Sequence, residues 1–144
     1  MTSDTGGKIE RLTWNPRFSV GFENLDEQHR HLFAILNRLV DLHETASADP
    51  LPVLEELVAY SGEHFHAENL VMMKARFPGY GEHAQEHDRF VDRLRSFLSS
   101  YRQNREGLTR DMLAYVREWL LTHTQVTDMF YADFIRRSGH SSNT

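Results

Sequence analysis

Residues 62–69 read GEHFHAEN, two histidines and two glutamates within six residues of a chain that has no cysteine. Two overlapping ligand pairs are present. Glu63 and His66 form an E-x-x-H pair, and His64 and Glu68 stand four apart. The surrounding apolar residues decide between them. Leu54, Leu57, Val58, Ser61, Phe65 and Met72 recur at the three-to-four spacing of one helix face. His64 and Glu68 fall on that face. His66 lies about 200° round from His64 on an ideal helix, on the solvent side. The pair to read is therefore His64–Glu68, on a buried helical stripe.

The same periodicity extends outward in both directions. Upstream, Leu32, Phe33, Leu36, Leu39 and Val40 mark a helix over about 24–44, with Asn24 as its N-cap and Glu27 three residues on. The break ETASADPLP follows, and Pro52 suits the first turn of the second helix, about 52–75. Pro78 and two glycines in RFPGYG end that helix. Phe90, Leu94, Phe97, Leu98 and Tyr101 mark a third over about 82–102. Met112, Val116, Trp119, Leu120, Phe130 and Phe134 mark a fourth over about 109–137. No stretch of useful length alternates with period two. The expected fold is all-α, an antiparallel up-down-up-down four-helix bundle forming one domain over 1–144. Trp14, Phe18 and Val20 predict an ordered arm over about 1–23, and the C-terminal SGHSSNT is expected to fray.

Composition narrows the function. The formal charge of −5, with both signs interspersed, lacks the basic bias of a nucleic-acid surface. Without cysteine there is no disulfide, zinc–thiolate site or iron–sulfur cluster. No apolar run approaches the length of a membrane span, and the N-terminus lacks the apolar core of a secretory signal, so a cytoplasmic location is expected.

The nine histidines are unevenly placed. Extending each apolar stripe puts His29 on the buried face of the first helix, His64 and Glu68 on the second, His83 and His87 on the third, and His123 on the fourth. All four helices send imidazole toward one axis. Any one of these alone is an ordinary hydrogen-bonded core histidine. Five with a buried carboxylate are not, because each imidazole needs two partners and an unpaired carboxylate costs several kcal/mol. A metal removes both problems. Six donors exceed one tetrahedral zinc, and two ions sharing a carboxylate fit the count better; iron, copper and zinc all suit such ligands. Asp128 would supply further negative charge. It lies five residues after His123, about 140° further round an ideal helix, and reaches the same face only from its flank or through a π-bulge.

Four stretches resemble the hemerythrin family in its single-domain bacterial form: VGFENLDEQHRHLF (20–33), HFHAEN (64–69) followed by Met72, FPGYGEHAQEHDRF (77–90) and WLLTHTQVTD (119–128). The resemblance covers about residues 14–134. It implies two iron ions (Fe2+/Fe3+) with a bridging oxo or hydroxo group. His83, His87 and His123 would hold one iron, His29 and His64 the other, and Glu68 and Asp128 would bridge both. It promotes Asp128 from a positional suspicion to a ligand, since the family carries an aspartate five residues after its last ligand histidine. Three positions depart from the family pattern: Asn69 where a second glutamate is common, Thr124 where an apolar residue is usual, and Phe77 where tyrosine often precedes proline.

The resemblance implies reversible dioxygen binding at the iron with only two histidines, for carriage, storage or sensing, with no catalytic residue. Phe33, Phe65, Trp119 and Leu120 are the expected pocket walls, with Leu120 as the gate. A monomer is expected, with an oxygen-consuming enzyme as recipient. Rival readings exist. A ferritin-like oxidase or ferroxidase would draw on Glu63–His66, whereas a peroxide-handling enzyme would use the same di-iron site. A helical metal-dependent phosphohydrolase would use His64, His87–Asp88 and Asp128. A zinc or iron store would need only the ligands.

Overall fold

A computed structural model describes residues 8–45, 48–104 and 109–138. Four antiparallel helical rods pack around one axis: α1 (Glu23–Thr45), α2 (Leu51–Lys74), α3 (Tyr80–Gln103) and a fourth rod made of α4 (Arg110–Thr122), a π-helical turn (His123–Thr127) and α5 (Asp128–Arg137). There is no strand among the described residues, so the all-α bundle expected from periodicity is the observed fold. The termini 1–7 and 139–144, and with them most of the expected fraying, lie outside the described residues. No described helix is long and apolar enough to cross a membrane.

Each rod starts and stops for local reasons. Pro52 sits in the first turn of α2, where its missing N–H costs nothing. The α2 end closes with Phe77 N–H to Met72 carbonyl at 3.0 Å and Arg76 N–H to Met73 carbonyl at 3.1 Å. That closure puts Arg76 at φ 57°, the left-handed conformation usual just past a helix end. A side chain at Gly79 would meet the Phe77 ring at 2.9 Å, so glycine there keeps the α2–α3 turn tight. Thr109 caps α4 by accepting the Met112 N–H at 3.2 Å. The start of α1 differs from expectation: the helix begins at Glu23, so Asn24 falls inside it. Asp26 anchors the preceding chain instead, accepting from the Ser19 hydroxyl and from the Val20 N–H.

Two clusters of buried apolar residues flank the middle of the bundle. The larger contains Leu36, Leu39, Leu57, Phe90, Leu94, Leu113 and Val116, and the smaller contains Leu25, Met72, Tyr131, Ala132 and Ile135. The residues before α1 pack along the outside. Leu12 exchanges two hydrogen bonds with the Asn37 side chain, at 2.8 and 2.9 Å. Trp14 and Phe18 meet Phe33 at ring separations of 5.9 and 5.8 Å. The arm thus covers α1 beside His29, whose ring is 6.5 Å from that of Trp14.

One expected stripe fails halfway. Periodicity places Phe130 on the buried face of the fourth helix, yet it is 62% exposed. The π-turn inserts one extra residue per turn and rotates everything after it by about 100°. Past the turn the buried positions become Asp128, Tyr131, Ala132 and Ile135. Met112 also shifts outward, and Leu113 takes its place in the core.

Candidate metal centre

Between the two apolar clusters lies a layer of charge. His29, His64, Glu68, His83, His87, His123 and Asp128 are all buried, none more than 4% exposed. They form two overlapping groups whose donor atoms lie within 4.8 Å of one another. Glu68, His83, His87, His123 and Asp128 make one, and His29, His64, Glu68 and Asp128 make the other. The two carboxylates belong to both.

Their atoms face inward in a consistent way. Glu68 Oε2 is 3.0 Å from His29 Nε2 and 3.4 Å from His64 Nε2, while Oε1 is 3.1 Å from His87 Nε2 and 3.3 Å from His123 Nε2. Asp128 Oδ1 is 3.0 Å from His83 Nε2 and 2.8 Å from His123 Nε2, and Oδ2 is 3.0 Å from His29 Nε2. Every imidazole presents Nε2. Each carboxylate therefore spans the two groups with its two oxygens.

Asp128 arrives there through the π-turn. In an α-helix, residues five apart diverge by about 140°. The wider π-turn over His123–Thr127 closes that angle, and Asp128 opens α5 fully buried. The Thr124 hydroxyl donates to the Leu120 carbonyl at 2.7 Å, tying down a backbone oxygen beside the turn. A flanking position for Asp128 is thereby excluded.

The outward nitrogens identify two residues that periodicity missed. His64 Nδ1 donates to Gln28 Oε1 at 2.7 Å, and His87 Nδ1 donates to Asn69 Oδ1 at 3.0 Å. Gln28 precedes His29 and Asn69 follows Glu68, so each amide flanks a ligand position and reaches the next helix. Their oxygens hold the Nδ1 proton and leave Nε2 bare, the orientation second-shell partners impose on ligating imidazoles. Tyr131 was also missed. It is fully buried, and its hydroxyl donates to Glu68 Oε2 at 2.9 Å. Burial and the adjacent Glu68 carboxylate push the phenol well above its usual range, so it stays a donor.

The electrostatics divide the imidazoles. Burial lowers His87 to about 4 and also lowers His64, so both are neutral at pH 7. Burial opposes charge on His29 and His123 too, but the Asp128 and Glu68 carboxylates outweigh it and raise them to about 9 and about 10. Two protons thus occupy the space among Glu68, Asp128 and these rings. Several atoms still lack partners: His29 Nδ1, His64 Nε2, His123 Nδ1 and Asp128 Oδ2. Two of these, His64 Nε2 and Asp128 Oδ2, lie close to Glu68 Oε2 and His29 Nε2 respectively but out of hydrogen-bond alignment. His87 Nε2 and His123 Nε2 meet at 3.1 Å, a contact that at most one shared proton can satisfy. Five imidazole nitrogens and two bridging carboxylates left in this state fit a pair of cations better than they fit protons.

The raised His29 and His123 stabilise the metal-free fold fully below pH about 6.5, the unfolded value, and lose that contribution as pH rises through about 9–10. Metal ligation needs both imidazoles deprotonated. Anaerobic addition of ferrous ion at pH 7 is therefore expected to release protons, and affinity to increase from pH 6 to 8. An indicator dye in weakly buffered solution reads this, and uptake without proton release would contradict it.

The rival ligands lie elsewhere. Glu63, His66 and Asp88 are exposed. His66 and Asp88 line a surface cavity of about 360 Å³ between α2 and α3, with Asp92 and Arg95 on its wall. His66→Ala is expected to leave metal content unchanged and stability within about 0.5 kcal/mol, by metal analysis and urea unfolding.

Aromatic and aliphatic side chains close the site on one side. Trp119 stacks on His123 with ring centroids 4.3 Å apart, and Phe65 stacks on His87 at 4.1 Å. Phe33 and Leu120 are buried nearby, 3% and 2% exposed.

Comparison with known proteins agrees with this geometry. The family model described as the hemerythrin HHE cation binding domain matches residues 20–133. A bacteriohemerythrin of Stenotrophomonas maltophilia is 28% identical over 126 residues, covering 87% of this chain and 82% of that protein. A hemerythrin-like protein of Naegleria gruberi is 32% identical, covering 83% of this chain and 90% of its own. A myohemerythrin of Riftia pachyptila is 29% identical over 118 residues, with 82% and 88% covered. The crystal structure of a wild-type hemerythrin superposes with a TM-score of 0.75 at 26% identity, spanning 86% of this chain and 97% of that one.

Proposed function

The chain belongs to the hemerythrin family, and on that premise we propose that it binds dioxygen reversibly at a non-haem di-iron centre, for oxygen carriage, storage or sensing. One observation carries the reading: seven buried donors from all four rods converge in two groups that share Glu68 and Asp128. His83, His87 and His123 would hold one iron, His29 and His64 the other, and both carboxylates would bridge them. Reversible binding of dioxygen is the chemistry that two ferrous ions supply when so held.

The unequal histidine count supports ligand entry at the two-histidine side, where fewer protein donors compete. Gln28 and Asn69 hold their imidazoles in the ligating tautomer. Tyr131 keeps its own proton and donates it as a hydrogen bond to the Glu68 oxygen that faces His29, and so orients the bridge. Phe33, Phe65, Trp119 and Leu120 keep water from the centre, and a dry surround disfavours release of a charged, reduced ligand. Binding without turnover agrees with a surround in which the other buried carboxylate among the described residues, Asp26, is already engaged by the Ser19 hydroxyl and the Val20 N–H.

The phosphohydrolase reading loses support because Asp88 is exposed and outside both groups. The E-x-x-H reading loses it because Glu63 and His66 face solvent. Anaerobic titration with ferrous ion tests the proposal. It should saturate at two irons per chain, and saturation at one, or a preference for zinc that excludes iron, would contradict it.

A further inference from the structure

One turn from the ligands on the same side in every rod lies a second buried layer. Phe33 follows His29 by four residues on α1, and Phe90 follows His87 by three on α3. Ser61 and Leu120 precede His64 and His123 by three on the antiparallel rods. Steps of three or four residues advance about 4.5–6 Å along a helix, so these four side chains share one level. All are buried: Phe33 at 3%, Ser61 at 0%, Phe90 at 0% and Leu120 at 2% exposure. Three are hydrocarbon. The fourth carries a hydroxyl.

That hydroxyl has no partner. Buried hydroxyls on helices usually donate to the carbonyl four residues back, and Thr124 does so with Leu120 at 2.7 Å. Ser61 Oγ does not. It stands on the same helix as His64, whose Nε2 also lacks a partner, one turn away on the two-histidine side. An idle donor in a dry layer destabilises the protein unless something accepts from it. The acceptor must be small, because the layer is otherwise filled by Phe33, Phe90 and Leu120.

We infer that Ser61 is the hydrogen-bond donor for the small ligand admitted at the two-histidine side of the centre, dioxygen or a small linear anion. This rests on the di-iron reading. Ser61 acts by contacting the ligand, and it discriminates for ligands whose outer atom accepts a hydrogen bond.

Azide binding to the oxidised, iron-loaded protein tests it, with Ser61→Ala beside the wild type. Ser61→Ala should hold two irons and bind azide about 5- to 10-fold more weakly. In the metal-free protein, Ser61→Ala should raise the thermal midpoint by about 2–4 °C, because it removes an unsatisfied buried hydroxyl. Equal iron content with azide affinities within twofold would overturn the inference and leave the di-iron reading intact. A lowered midpoint for metal-free Ser61→Ala would overturn its premise, that the hydroxyl is idle without ligand. Wild-type protein that takes up no iron would overturn both the inference and the reading beneath it.

Discussion

Glu68→Ala is expected to lose both irons and to weaken the fold of the metal-free protein. Glu68 is fully buried, and its oxygens face four imidazoles and the Tyr131 hydroxyl. The surrounding imidazoles outweigh the cost of burial and hold its carboxyl well below the usual range, so it is an anion at all physiological pH. Alanine removes a donor common to both groups. It also strands the protonated His29 and His123 and the Tyr131 hydroxyl without that acceptor. Breaking a buried charged pair by deleting one partner costs about 3–5 kcal/mol. That is a large share of the roughly 5–15 kcal/mol available to a small domain. Metal analysis and urea unfolding of the metal-free protein read the two effects. A variant that keeps two irons, or whose metal-free stability falls by less than about 1 kcal/mol, would contradict the assignment.

His123→Ala should do comparable damage by a different route. The ring stacks on Trp119 at 4.3 Å, meets Phe65 at 5.7 Å, and lies 2.8 Å from Asp128 Oδ1 and 3.3 Å from Glu68 Oε1. Alanine therefore removes a ligand and opens a cavity between two aromatic walls. Truncating a buried ring to alanine costs about 3–5 kcal/mol. For a chain of this size the metal-free thermal midpoint should fall by roughly 2–4 °C for each kcal/mol lost. Iron should be lost as well. Normal iron content together with a wild-type melting temperature would show that His123 is an ordinary core histidine.

How much of this was legible in the sequence depends on what periodicity can see. His29, His64, Glu68, His83 and His87 sit on stripes of regular α-helix, and extending each stripe was enough to find them. His123 is the last residue for which that works on the fourth rod. The π-turn that begins there breaks the 3.6-residue repeat, so Asp128 looked misplaced and Phe130 looked buried. Both displacements have one cause, and the five-residue gap raised it for Asp128 as one of two routes, a π-bulge beside a flanking position. The hemerythrin-like WLLTHTQVTD segment promoted Asp128 where the angle could not.

The supporting residues were hidden for another reason. Gln28 and Asn69 lie on the flanks of their helices, one position from a ligand, where a polar residue normally signals solvent. Their amides are useful because they reach across to the next rod, and a pattern confined to one helix does not encode that. Tyr131 follows Asp128 by three residues, so its burial too was masked by the π-turn. Asn24 failed as a cap because the anchoring at the start of α1 is done by Asp26, through contacts to Ser19 and Val20.

On the di-iron reading this centre takes up and releases dioxygen. The most direct measurement is the optical spectrum of two-iron protein, reduced without air, then exposed to air, then purged. The expected result is a colourless reduced form, a pink-red charge-transfer band in air, and its loss on purging, repeated over several cycles. A reduced protein with two irons that stays colourless in air, or that oxidises once without recovery, would contradict it.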